Sequence, residues 1–394
     1  MKILFVNKHM RECGGVEYYI RSLSRRLKRK GAHTFIMHWD EPDESGVFDG
    51  ASRIRDIWED EFRITKSARK EIDSFLKNVK PDIVFSHNVE NAQVLKYLWQ
   101  RSKLVQYVHG YKKVDPDGKM LLKNPLEPNT CALGPGCFLR AFTRGAMPRN
   151  PVKAIRAYAR AKRSLEALKE LSNILVASSY MKDILARNGI ESRRVEVFPY
   201  FVDFEEVPGP ATERGRLLFA GRIAGGKGLP ILLDILASVK TDFVLDVVGT
   251  GPLESRCREK AERLGLSGKV DFHGWVDHSR LSEFYSKAAF LVMPSVWPEP
   301  FGICGIEAAY FGKPAVAFNV GGISDWLIDR RTGFLVEPYD KDAMSGRIRE
   351  LIQNPAQAAL MGEKAREKAY KDYMPGEHVQ RLMGLFEEVL RDIR

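Results

Sequence analysis

Two carboxylates, Glu299 and Glu307, stand eight positions apart in the stretch Glu299-Pro300-Phe301-Gly302-Ile303-Cys304-Gly305-Ile306-Glu307. The apolar run 290–295 just before them reads as a buried strand ending in a loop. Residues 303–311 read as a helix, closed by Gly312 ahead of Lys313-Pro314. This pattern predicts Glu299 at the carboxyl end of a strand and the backbone N–H groups of Phe301, Gly302 and Ile303 at a helix start. Open α/β sheets bind ligands at that edge, and helix N-termini favour anions. Glu307, about one turn into the helix, would reach a hydroxyl close to the bound anion. A phosphate nest with two carboxylates for hydroxyls suits a sugar nucleotide.

Other chemistry-bearing residues also fall at predicted strand ends. The first strand, near 1–7, runs towards Gly14-Gly15, where a backbone without side chains could approach a pyrophosphate. Glu17 behind them fits a first-turn helix acid. His109 follows the run 104–108, where a neutral imidazole could hydrogen-bond a sugar hydroxyl or position an acceptor. His87 ends a similar run. Arg222 and Lys227 lie five positions apart just beyond the run 217–220, around Gly221 and a glycine-rich loop. They serve either as surface cations or as neutralisers of charge on a departing diphosphate.

Further landmarks follow in order: Val247-Val248-Gly249-Thr250-Gly251-Pro252, Val270-Asp271-Phe272-His273-Gly274-Trp275-Val276, and Gly321-Gly322-Ile323-Ser324-Asp325 before Arg331-Thr332-Gly333. Together with the paired glutamates, they resemble glycosyltransferase family 4 over nearly the whole chain. The resemblance implies an α/β GT-B fold, with two Rossmann-like domains facing each other across a cleft. It implies transfer of a sugar from a nucleotide-diphosphate donor to a hydroxyl acceptor, with retention at the anomeric carbon. Arg222 and Lys227 become clamps on the distal phosphate, Glu299 a contact to the transferred sugar, Glu307 a ribose contact, and His109 a neighbour of the reacting sugar. Gly14, Gly15, Gly221, Val276, Phe301, Gly302 and Ile303 complete the implied donor site, and His273 supports the base-binding turn. Where the family usually reads Pro-Asn-Gly-Val-Asp, this chain has Pro199-Tyr200-Phe201-Val202-Asp203. Asp325 stands where a Glu often follows the Gly-Gly turn, and its shorter side chain suits packing or capping.

Length and periodicity place these residues. With 394 residues the chain has room for two domains, each with its own core. Short apolar runs near 3–6, 34–38, 83–86, 104–108, 174–177 and 195–198 alternate with helical periods near 16–29, 67–78 and 151–170, which predicts a parallel sheet. The expected divisions are an acceptor-binding domain at 1–204, a donor domain at 205–375, and a terminal helix at 376–394 packing back on the first domain. The linker is expected at 205–215. Residues 112–150 read as a long loop or lid over the acceptor.

Composition narrows the function classes. A 44% hydrophobic, 29% charged chain is an ordinary globular one, with no run of membrane-spanning length. Residues 1–6 are too short for a signal peptide, and five cysteines fit a reduced cytosolic protein. The net charge of +11 asks for a polyanionic neighbour. No acidic residue lies between Glu127 and Glu166, a segment holding Arg140, Arg144, Arg149, Lys153, Arg156, Arg160, Lys162 and Arg163. A second basic cluster spans Arg21 to Lys30. Either both are solvated faces, or they dock on an anionic leaflet at the inner face of the cell membrane. No motif supports nucleic acid. Asp115-Pro116-Asp117 lies in a Pro-Gly turn, and Cys131 with Cys137 lacks four-ligand spacing, so no metal and no cofactor is expected. The acceptor is expected to be a glycan or a lipid-linked glycan of envelope polysaccharide assembly. The rival readings are a sugar-nucleotide epimerase or hydrolase on the same fold, and a non-catalytic basic membrane- or nucleic-acid-binding protein.

Overall fold

The computed structural model describes the chain except for residues 11–13, 41–45, 55–61, 119, 124–125, 129–131, 146, 148–149, 205–211 and 393–394. At 121–123, 126–128 and 140–141 it describes the backbone alone. The chain divides into two compact units. The first comprises Met1–Pro125, Asn129–Tyr200 and Pro375–Arg394, and the second Leu126–Pro128 and Phe201–Met374. Most of the expected linker lies outside the described residues.

The first unit is built on seven parallel strands: β1 (Lys2–Val6), β2 (His33–His38), β3 (Gly50–Arg53), β4 (Ile83–Ser86), β5 (Leu104–Val108), β6 (Ile174–Val176) and β7 (Val195–Val197). Their order is β3-β2-β1-β4-β5-β6-β7. The central strands read as continuous apolar runs because both faces are covered, and Ile3, Leu4, Phe5 and Val6 are fully buried. Each such side chain contributes about 1.5–3 kcal/mol on burial. Strand β3, Gly-Ala-Ser-Arg, carries no apolar pattern and exists by pairing with β2, Phe35 opposite Gly50. Helix α1 (Gly15–Arg29) carries Glu17 in its first turn and Arg26, Lys28 and Arg29 in its last, as the helix dipole favours.

The expected loop at 112–150 is instead partly structured. Tyr111–Lys113 forms a 3₁₀ turn, Leu121–Lys123 and Leu126–Pro128 are short strands, and Pro135–Thr143 is helical. Pro135 opens that helix, where its missing N–H costs nothing. Phe138 on it meets Tyr158 edge-on, with ring centres 5.2 Å apart, on helix α2 (Pro151–Glu170). The terminal helix α3 (Pro375–Arg391) belongs to this unit, and its Phe386 packs on Phe85 at the end of the chain's path.

The second unit has six parallel strands: β8 (Arg216–Ala220), β9 (Val244–Val248), β10 (Val270–Gly274), β11 (Phe290–Met293), β12 (Ala315–Phe318) and β13 (Gly333–Val336). Their order is β10-β9-β8-β11-β12-β13. Successive connections leave β8 in opposite directions across the sheet, so a crevice opens at the carboxyl ends of β8 and β11. The loops that follow those two strands carry Arg222 and Lys227, and Glu299.

Candidate active site

Lys227 and Glu299 meet in the second unit, although 72 positions separate them. Lys227 Nζ donates to Glu299 Oε1 at 2.7 Å and Oε2 at 2.9 Å. Ser295 Oγ donates to the same Oε1 at 2.6 Å. The carboxylate is 4% exposed and the lysine side chain 29%, so the ammonium holds the pair open towards solvent. Lys227 also lies over the Trp297 ring, 4.8 Å from its centre. The two loops are tied together by backbone, for the N–H groups of Val296 and Trp297 both donate to Gly226.

Behind Glu299 the Gly-Gly turn is a steric necessity. Gly321 has φ +61°, and a Cβ there would lie 2.2 Å from the Glu299 carbonyl oxygen. Gly322 N–H donates to that carbonyl at 2.7 Å. Gly302, at φ +95°, caps helix α4 (Ile303–Tyr310), while Trp326 Nε1 donates to the Phe301 carbonyl at 2.8 Å. Phe301 itself is buried, Ile303 opens the helix, and Val276 is half-buried after β10. Arg222 follows Gly221 at the end of β8 and is exposed, and its side chain forms no hydrogen bond or ion pair among the described residues. A guanidinium without a side-chain partner, on the same loop as Lys227, suits a phosphate.

Glu307 is held apart from this pair. It is 7% exposed and accepts from Tyr285 Oη at 2.7 Å and from His278 Nε2 at 3.1 Å. Phe204 stacks on His278 at 4.4 Å. Each carboxylate oxygen keeps a lone pair for a further donor. Neither Tyr285 nor His278 stood out in the sequence, nor did Ser295 and Trp297, since such partners are chosen by packing rather than by spacing.

His109 in the first unit has both ring nitrogens engaged. Nδ1 lies 2.6 Å from Tyr200 Oη, and Nε2 lies 2.8 Å from His87 Nδ1. The ring stacks on Tyr107 at 4.3 Å. Burial pushes its pKa down to about 3, so the imidazole is neutral at pH 7. Contact with a sugar hydroxyl therefore requires His87 or Tyr200 to release a nitrogen, which the sequence did not foretell. Tyr200 is one of the two residues, with Phe201, that depart from the family pattern. Gly14 and Gly15 are exposed at the start of α1, and the residues before them lie outside the described residues. Glu17 behind them has a raised pKa because burial disfavours its charge.

His273 Nε2 lies 2.7 Å from Asp246 Oδ1, and Asp271 is close enough for the three to offer metal-ligand geometry. Arg216 already occupies that cluster, donating through Nε to Asp246 at 2.6 Å, so it is an ion-pair network. The Asp115 carboxylate accepts the Met120 N–H at 3.1 Å and closes its own turn. Cys137 is buried, and Cys131 lies outside the described residues.

The second unit matches the model of the group 1 glycosyl transferases over residues 203–368, and the first matches that of Glycosyltransferase Family 4 over 13–206. The chain belongs to glycosyltransferase family 4. Among curated relatives, it is 35% identical over 188 residues to the D-inositol 3-phosphate glycosyltransferase of Streptomyces avermitilis, covering 42% of this chain and 40% of that protein. The first relatives are each matched over 40 to 48% of their own length, so this chain aligns with under half of each. The fold is similar to that of a sucrose-phosphate synthase from Thermosynechococcus elongatus, with a TM-score of 0.77 at 19% identity over 98% of both chains. It is also similar to Anabaena HepE in complex with UDP and glucose, with a TM-score of 0.74 at 17% identity over 98% of this chain and 100% of that one. This family member thus has the GT-B architecture of two parallel α/β sheets.

Proposed function

We propose that this family 4 member transfers a glycosyl group from a nucleotide-diphosphate sugar to a hydroxyl of a glycan or lipid-linked glycan, with retention and without a resident metal. The observation that carries the reading is the Lys227–Glu299 pair at the carboxyl ends of β8 and β11, the edge whose β8 loop also carries Arg222. Arg222 and Lys227 would bind the diphosphate, Glu299 the sugar hydroxyls, and Glu307 the ribose. In the step itself the acceptor oxygen bonds to the anomeric carbon as the bond from that carbon to the phosphate oxygen breaks. The acceptor proton passes to the leaving phosphate, whose negative charge the two cations stabilise. HepE, which is similar in fold and was solved with UDP and glucose, supports the reading. The test is the anomeric configuration of the product by proton NMR, which is expected to match that of the donor. Inversion would refute the mechanism.

The same assignment makes activity insensitive to chelators, because Arg222 and Lys227 supply the charge that a divalent ion provides elsewhere. Turnover in excess EDTA is expected to stay near its starting rate. Loss restored by Mg²⁺ or Mn²⁺ would show that a metal shares the work.

We also propose that the first unit docks on anionic membrane from the cytoplasmic side. No described helix is long and apolar enough to cross a membrane. Val152 and Ile155 on α2 are 65% and 59% exposed, and Leu139 on the preceding helix is 62% exposed. Lys153, Arg156 and Lys162 share α2 and are exposed too. The basic segment is narrower than its sequence implied. Arg160 donates to the Pro116 carbonyl at 2.9 Å, and Arg163 sits over the Phe62 ring. The 21–30 cluster is not a free patch, since Arg21 is buried against the Met10 carbonyl and Lys28 pairs with Asp49 at 2.8 Å. Vesicles containing anionic lipid are expected to bind the protein, and changing Lys153, Arg156 and Lys162 together to Glu should weaken that binding. Each cation near the surface contributes about 1 kcal/mol. Equal binding to neutral vesicles would return the face to ordinary solvation.

A further inference from the structure

The second unit has a pocket at the edge of its sheet opposite the candidate active site. It lies where Gly215, Ala289 and Lys313 lead into β8, β11 and β12, and its volume is about 560 Å³. That is the size of small-molecule sites, which range from about 300 to 1,000 Å³. Among the described residues three cations line it, Arg214, Lys313 and Arg366, and no carboxylate does. Lys313 is 6% exposed, and its Nζ donates to Thr212 Oγ1 at 2.5 Å. The Arg366 guanidinium packs over Gly312, where an added Cβ would lie 3.0 Å from Nη2. Neither Arg366 nor Arg214 forms an ion pair among the described residues.

Ser286 is a further polar residue of the wall. It lines the same pocket, is 6% exposed, and its hydroxyl is buried without a hydrogen-bond partner. The first turn of helix α5 (Pro355–Asp372) adds Pro355, Ala358 and Ala359 to the wall, with the positive end of its dipole. Burial, and after it the neighbouring Arg366, push the Lys313 pKa down to about 8, so positive charge is disfavoured at this ammonium. Phe311, Leu351 and Ile352 form an apolar wall beside it.

We infer that this pocket binds a small organic phosphate monoester, its phosphate on Arg214, Lys313 and Arg366 and its organic part on the apolar wall. A dianion matches three cations better than a carboxylate does, and guanidinium forks suit phosphate oxygens. The site is separate from the donor site, since it lies at the amino ends of the strands whose carboxyl ends carry Arg222 and Glu299. No assignment of the active site is needed for it to bind.

Phenyl phosphate titrated calorimetrically into the full chain, with UDP present in excess, tests the inference. Saturable binding is expected, unchanged in Lys227→Ala and at least about tenfold weaker in the double variant Arg214→Ala/Arg366→Ala, which removes two charge-assisted contacts. Both arginines are exposed, so the variant should fold, and circular dichroism checks that it does. Inorganic phosphate should bind at least about tenfold more weakly than phenyl phosphate, because it leaves the apolar wall uncovered. Absence of saturable binding at millimolar ligand would overturn the inference. So would binding that UDP displaces and Lys227→Ala abolishes, since that ligand would sit in the donor site. Equal affinity for inorganic phosphate would overturn the organic part of the assignment.

Discussion

Glu299→Gln and Lys227→Ala are each expected to lower turnover at least about a hundredfold, the scale on which preorganised charge stabilisers contribute. Glutamine keeps the shape of Glu299 but loses the charge that receives Lys227 at 2.7 Å and the second acceptor oxygen offered to sugar hydroxyls. Lys227→Ala carries a second cost. It strands a carboxylate that is only 4% exposed, and breaking a buried pair on one side typically destabilises by about 3–5 kcal/mol. The lysine is partly in solvent, so the loss should fall at or below the lower end of that range. The double variant Lys227→Met/Glu299→Gln separates the two effects, because it removes both charges at once. Its melting temperature should recover towards the parent while its turnover stays as low as that of either single variant. Near-normal rates in both single variants would remove the donor-site assignment.

Acidification is expected to destabilise the first unit well above the range in which carboxylates titrate. Burial lowers the pKa of His109 and of His378 from 6.5 to about 3, and that of His87 well below its ordinary value. His378 Nε2 lies 2.8 Å from Tyr19 Oη, and His109 stands between Tyr200 and His87, so each ring is held away from the water that would solvate its charge. The native state therefore holds these rings neutral while the unfolded chain protonates them below pH 6.5. Stability is fully present above that pH and falls as pH drops towards 3, by up to about 1.4 kcal/mol per pH unit for each ring. Between pH 6.5 and 5, His109 and His378 together should cost about 3 kcal/mol, a large part of the 5–15 kcal/mol that holds a typical domain together. Urea unfolding at pH 7, 6 and 5 measures this directly, and His378→Asn should flatten the slope. A stability independent of pH from 7 to 5 would show that these imidazoles are not held neutral.

Much of the candidate site was legible because strand ends announce themselves in sequence. The run Phe290–Met293 followed by Glu299, and the run ending at Ala220 followed by Arg222 and Lys227, are apolar strands releasing polar loops at one sheet edge. That Lys227 and Glu299 touch is a consequence of β8 lying beside β11, which periodicity does not encode. Strand β3 was invisible because Gly-Ala-Ser-Arg owes its conformation to β2 alone. The helix Pro135–Thr143 was hidden in a stretch rich in Gly and Pro, where Pro135 is a helix start rather than a breaker. The basic clusters misled for a simpler reason. Counting arginines does not show that Arg21 is buried or that Arg160 is spent on a backbone carbonyl.

The most direct measurement of the central claim is a thermal-shift panel of nucleotide sugars on the intact chain and on Lys227→Ala. A ligand that binds only the native state raises the melting temperature in proportion to the logarithm of its concentration over Kd. At least one nucleotide-diphosphate sugar is expected to raise the melting temperature of the parent, with a much smaller shift in Lys227→Ala. No shift from any donor, or an equal shift in both proteins, would contradict a donor site built on Lys227, Arg222 and Glu299.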